Sequence, residues 1–254
     1  MTELKTNVPE TTTPRRVGIE MYFLGMSLLA MSAYAQNTPV MTCLIVGNIA
    51  LRFILMGRRY DWVYLLIGVA GGGGNDLMSM LKDVYYYTPK DVLPIPIWML
   101  LLWGHVFVAF RQFFRLPFFI GPELKGKPWR LDKRLIADIA VVVLFRVIIY
   151  NFVHKDPIPT YAFGAVLAAR LILIPPKIHE WKLIAAIMIL GPAYEAACIR
   201  FGLYVYYNPV FLGMPAWLLI YWVFIVPLFM GGIFERMEYS QAAKRNAPAE
   251  VMKI

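Results

Sequence analysis

Two carboxylic acids, Asp76 and Glu195, lie inside long apolar stretches of this 254-residue chain. An ionisable group is expensive in such surroundings and marks a candidate functional position. Asn75 precedes Asp76, and both follow the run Gly71-Gly72-Gly73-Gly74. Glu195 stands in a second apolar stretch shortly before Arg200, and His105 in a third. Low-dielectric surroundings favour the neutral form of a carboxylic acid, which is the form a general acid needs. One reading makes Asp76 and Glu195 the acid and the charge-stabilising group of a reaction on an apolar substrate, with Asn75 and His105 orienting them. The other makes them polar glue, bonded across helices to His105, Arg200 or tyrosine hydroxyls. Residue types alone leave both open.

Aromatic residues surround these positions in sequence. Tyr87, Tyr204, Tyr207, Trp98 and Trp217, with Arg200, are the candidate substrate contacts, and their rings could steady a cationic intermediate by cation–π attraction. The same residue types also anchor helices at membrane interfaces. The glycine run lacks the Gly-Lys-Ser/Thr of a phosphate-binding loop, so it predicts close helix packing or a local break in the helix. The three histidines are scattered with no Cys or carboxylate at ligand spacing, so no metal site is expected and no soluble cofactor is implied. Cys43 and Cys198 read as small core residues. Asp138 and Arg146, eight residues apart, are expected on roughly the same helix face, with Arg146 deep and in need of a partner. Arg52 and Arg170 are expected to snorkel to the interface.

The elements that must position these residues are membrane helices. Hydrophobic residues make up 59% of the chain and charged residues only 16%, with a mean hydropathy of +0.58. Soluble domains carry about 25% charged residues, so a disordered protein, a disulfide scaffold and an ordinary cytosolic enzyme are excluded. Apolar stretches bounded by proline and turn residues predict eight helices, near 18–36, 40–57, 62–83, 94–115, 134–153, 158–175, 181–204 and 213–235. With the N-terminus inside, the inner segments carry eighteen Lys and Arg and the outer segments three. The net charge of +9 is therefore a positive-inside signal for a multi-pass protein of the cytoplasmic membrane with both termini inside, and gives no reason to expect a nucleic-acid partner. Residues 1–17 and 236–254 are expected to be cytoplasmic tails, the first disordered. Residues 116–133 form a basic, aromatic loop suited to anionic lipid headgroups.

That loop divides the chain into halves, 18–115 and 134–235, that resemble each other. Tyr87 and Pro89 match Tyr207 and Pro209 at an offset of 120, as does Gly71 with Gly191; Trp98 and Trp103 match Trp217 and Trp222 at 119. On the first offset Glu195 is equivalent to Asn75. Four helices return the chain to its starting side, so the predicted fold is an all-α polytopic membrane bundle of two parallel four-helix repeats.

The sequence Glu195, then Gly202-Leu203-Tyr204-Val205-Tyr206, then Gly213-Met214-Pro215-Ala216-Trp217 and Trp222 resembles membrane-embedded carotenoid biosynthesis proteins of the bacterioruberin hydratase type. Asp76 with Tyr85 to Tyr87 is similar to the acid–aromatic motif of small membrane lycopene cyclases, although Pro96-Ile97-Trp98 stands where those carry Pro-x-Glu-Glu. The first half also resembles an uncharacterised bacterial family of small membrane proteins. The resemblance to the carotenoid proteins implies an enzyme of hydratase, cyclase or isomerase type working by acid chemistry on a polyisoprenoid lipid. A small-molecule transporter or channel, and a non-catalytic subunit of a membrane complex, are the alternatives. Membrane lipids, and a membrane-protein partner or a second copy of the chain, are the expected partners.

Overall fold

A computed structural model describes residues 11–89, 91, 93–120 and 131–246, with side chains to residue 242. The expected tails at 1–10 and 247–254, and the centre of the basic loop at 121–130, lie outside the described residues. The helices are α1 (Pro14–Tyr34), α2 (Thr38–Met56), α3 (61–80), α4 (Ile97–Phe114), α5 (Lys133–Phe152), α6 (Ile158–Leu173), α7 (Ile178–Arg200) and α8 (216–246). Six of these, α1, α2, α4, α5, α7 and α8, are long and apolar enough to cross a membrane.

Local chemistry explains the helix ends. Thr13 caps α1 by accepting from the Arg16 amide (3.2 Å), Asn37 caps α2 and Asp132 caps α5, each accepting from the amide three residues on. Proline at the second position starts α2 and α6, where its missing N–H costs nothing. Two helices carry a widened π-helical stretch. In α3 it covers Gly68–Gly73, with three of the four glycines of the run, so the expected local disturbance is a helix broadened without being broken. In α8 it covers Ile225–Met230, around Pro227, whose missing N–H frees a carbonyl.

The expectation of an all-helical chain needs one correction. Between α3 and α4 lies β1 (Tyr85–Tyr87), and between α7 and α8 lies β2 (Tyr204–Tyr206); they pair antiparallel, Tyr85 opposite Tyr206 and Tyr87 opposite Tyr204. Tyrosine and valine favour a pleated strand. The pair ties the two halves of the chain together at one end of the bundle, the end away from the 116–133 connection.

Large aliphatic side chains face outward: Ile54, Ile172, Leu173 and Ile189 are each more than 70% exposed. A patch of that extent on a folded chain fits lipid, not water. Charge sits inside instead. Arg52 is fully buried, where snorkelling was expected: its guanidinium binds Glu20 of α1 (2.9 Å) and Asp61 of α3 (2.5 Å). Asp61 also accepts from Arg111, which donates to Glu238 (2.6 Å), and Tyr64 donates to Glu238 (2.7 Å). These bonds explain why α8 runs past 235, where the apolar pattern ends: Glu238 is drawn back to α4. Arg170 is buried too and pairs with Asp138 (2.6 Å). Asp138 and Arg146 do not share a face, because eight residues turn a helix about 80° beyond two full turns. His179 and Glu180, just before the helix expected near 181–204, lie in the first turn of α7, and Glu180 pairs with Arg134 (2.8 Å). Cys198 is buried, as a core residue should be, but Cys43 is exposed on α2.

Candidate functional site

Strand alternation builds the site. Successive side chains on a strand point to opposite faces, so Tyr85 and Tyr87 of β1 and Tyr204 and Tyr206 of β2 turn inward and are buried. Their rings pack together, with centroids 5.1 Å apart for Tyr85–Tyr206 and 5.3 Å for Tyr87–Tyr204. Beneath them, α3 delivers Asp76 and α7 delivers Glu195, both buried.

The two acids are held alike. Asp76 Oδ2 accepts from Tyr87 Oη (2.7 Å) and from the indole Nε1 of Trp103 (2.6 Å). Glu195 Oε2 accepts from Tyr204 Oη and, more loosely, from Tyr206 Oη (3.4 Å). Each acid stands one turn from a glycine that serves as a platform for a tryptophan. A Cβ on Gly72 would lie 2.8 Å from the Trp103 ring, and one on Gly191 would lie 2.5 Å from the Trp222 ring. The contacts therefore pair Gly72 with Gly191, Asp76 with Glu195, Tyr87 with Tyr206 and Trp103 with Trp222, all at one offset of 119. The offset differs by one from the 120 at which Tyr87 and Tyr207 match in the sequence.

Both acids open into one cavity. Its volume is about 340 Å³, within the range of small-molecule sites, and its walls come from α3, α4, α5, α6, α7 and α8. Most of the lining is apolar or aromatic: Phe107, Phe145, Phe163, Trp217, Phe229 and Phe234 among others. The polar exceptions gather on one part of it, namely Asn75, Asp76, Ser79, Tyr85, Arg146, Glu195, Tyr206 and Tyr221. A smaller void of about 20 Å³ lies between the acids and the inward tyrosines.

The structure redistributes the expected site residues. Asn75 and Trp217 line the cavity with Asp76 and Glu195, and Tyr87 and Tyr204 hold the acids. His105 does not join them. It lies two residues beyond Trp103, about 200° around the helix, and faces Glu20 at 3.8 Å on the far side of α4. Arg200 is exposed at the end of α7. Tyr207 turns outward and packs on His154 with ring centroids 4.6 Å apart. Trp98 is fully buried but does not line the cavity. Trp103, Trp222, Ser79, Arg146 and Tyr221 were not among the expected site residues. The inward tyrosines were legible in the period of two within Tyr85–Tyr87 and Tyr204–Tyr206, had these been read as strands.

No family model matches the sequence, and no curated protein matches it. Among solved structures, the chain is similar to a mycobacterial Insig homolog from Mycobacterium vanbaalenii, MvINS, and to a cross-linked trimer of that protein. In each case the TM-score is 0.53 at 18% identity, over 75% of this chain and 98% of the other. The fold is thus that of an Insig-like polytopic helical membrane protein. This likeness concerns the fold alone.

Proposed function

We propose that the chain crosses the membrane eight times, as two parallel four-helix repeats with both termini in the cytoplasm, and that it is a non-catalytic membrane protein that holds an apolar small molecule in its central cavity. The shared cavity of Asp76 and Glu195 carries this reading: two acids, fixed by phenol and indole donors, form the polar end of an otherwise apolar chamber. Support for the repeats comes from contacts that recur at a nearly constant offset. Besides the pairs at 119, Glu20–Arg52 and Asp138–Arg170 are both ion pairs between residues 32 apart, displaced by 118. In this reading α3 spans through its π-helical turn, and the 16 residues of α6 span with local thinning of the bilayer. The excess of basic residues in the inner segments sets the orientation.

A second reading, acid chemistry on a polyisoprenoid or similar lipid, is favoured by one specific observation. The acids sit together in one chamber walled by aromatic rings, which is the arrangement that protonating an alkene and steadying a cation would require.

Native mass spectrometry of the purified protein, beside lipid profiles of the expressing cells, separates these. A small molecule retained by wild type and lost from Asp76→Asn and Glu195→Gln, with unchanged cellular lipids, supports binding. A lipid whose conversion requires either acid supports catalysis. Wild-type protein that carries nothing and alters nothing rejects both. The same spectra report whether the chain forms oligomers, as the cross-linked trimer of MvINS does.

A further inference from the structure

Arg146 is the cation of the cavity. It projects from α5, its guanidinium reaches Ser79 Oγ of α3 (3.4 Å) and Tyr221 Oη of α8, and it lies over the rings of Tyr221 and Tyr150 at 5.2 and 5.8 Å. Among the described residues those are its hydrogen bonds, whereas a guanidinium carries five N–H donors. Asp76 and Glu195 share the chamber, but their bonds go to tyrosine and tryptophan donors, and neither forms an ion pair with Arg146. Arginines buried elsewhere in the fold are treated differently. Arg52, Arg111 and Arg170 each meet a carboxylate at hydrogen-bonding distance. A half-buried cation whose donors face an apolar chamber calls for an acceptor.

We infer that the ligand of this cavity carries an sp² oxygen, in a carbonyl or a carboxylate, which accepts from Arg146 while its apolar body lies against the aromatic walls. This rests on the cavity reading above and narrows it: oxygenated lipids are admitted and pure hydrocarbons disfavoured. The chamber volume of about 340 Å³ is at the low end for ligand sites, which suits a single-chain or ring-bearing molecule over a two-chain phospholipid. Arg146 would be a specificity-determining residue and the two acids a separate polar contact.

Three related probes test this on the full-length protein in nanodiscs: retinoic acid, methyl retinoate and the hydrocarbon axerophthene. Binding is read from quenching of tryptophan fluorescence, since Trp103, Trp217 and Trp222 line the cavity. A hydrogen bond to a charged group corresponds to at least about tenfold in affinity. The acid, the ester or both should therefore bind wild type at least about tenfold more tightly than the hydrocarbon. Preference for the acid over the ester identifies a carboxylate ligand; equal binding identifies a neutral carbonyl. Arg146→Leu should erase the advantage over the hydrocarbon, and Arg146→Lys should retain part of it. Equal affinity of wild type for all three probes overturns the inference while leaving the cavity reading intact. Failure of all three to bind overturns the inference and the cavity reading together. The wild-type comparison needs no variant to fold.

Discussion

Tyr86 of β1 lies directly opposite Val205 of β2, and the two are separated by 119 residues, the interval that also separates Asp76 from Glu195 and Trp103 from Trp222. On the proposed repeat, Tyr86 faces its own counterpart, while Tyr85–Tyr206 and Tyr87–Tyr204 are exchanged versions of one pair. That is the register a local two-fold axis between the strands imposes. A slip by one residue would turn the inward tyrosines out and strip both acids of their tyrosine donors. Replacing Tyr86 and Val205 by cysteine, in a Cys43→Ser background, should therefore give an intramolecular disulfide under mild oxidation, read as a gel-mobility shift. A Tyr87/Val205 cysteine pair, on opposite faces, should not form one.

The inward and outward tyrosines should differ in their effect on stability. Tyr87→Phe removes a donor to Asp76, and Tyr204→Phe removes one to Glu195. Each should destabilise by about 0.5–1.5 kcal/mol, the net contribution of a buried hydrogen bond. Tyr207→Phe, at an outward position, should be close to neutral. Thermal unfolding in detergent measures all three, and equal effects at Tyr87 and Tyr207 would contradict the strand assignment.

Packing of glycine on tryptophan sets a second test. Gly191→Ala places a methyl against the Trp222 ring and should cost about 1–3 kcal/mol, the range for overpacking. Gly74→Ala meets nothing within 4 Å and should be neutral or stabilising by up to about 1 kcal/mol through helix propensity. The difference between them is read from the same melting curves.

The buried pair Asp138–Arg170 invites a double-mutant comparison. Asp138→Asn strands a buried guanidinium and should cost about 3–5 kcal/mol, whereas Asp138→Leu with Arg170→Leu should cost far less, since apolar replacements of buried ion pairs are often neutral. A double mutant as unstable as the single would show that the charges themselves hold α5 to α6.

Acid sensitivity should concentrate at a surface cap. Partial burial pushes the Asp132 carboxyl up, but its bond from the Leu135 amide and its pairing with Arg236 (2.7 Å) outweigh this and hold it below the usual aspartate range. The folded chain then binds this proton less readily than the unfolded one. The contribution is complete above about pH 5 and is lost as the pH falls through the folded pKa, below about 3.9. Melting temperatures of Asp132→Asn should accordingly fall less between about pH 5 and 3 than those of wild type.

What the sequence by itself determined was the class of protein and which of its polar residues lie within apolar helices. Apolar runs bounded by proline, the basic excess in alternate loops and the recurrence of Tyr, Pro and Trp follow from the cost of exposing polar groups to lipid, which is written into composition and period. Asp76 and Glu195 were legible as a candidate pair for the same reason. Azimuth and register were decided only in the tertiary structure. His105 lies in an apolar helix as the acids do but on the wrong face of α4, and Arg52 stands near a helix end yet binds partners on two other helices. That Asp76 and Glu195 share one cavity emerged only from the packing of the helices that carry them. Pairing across helices depends on which faces meet, and no local spacing encodes that.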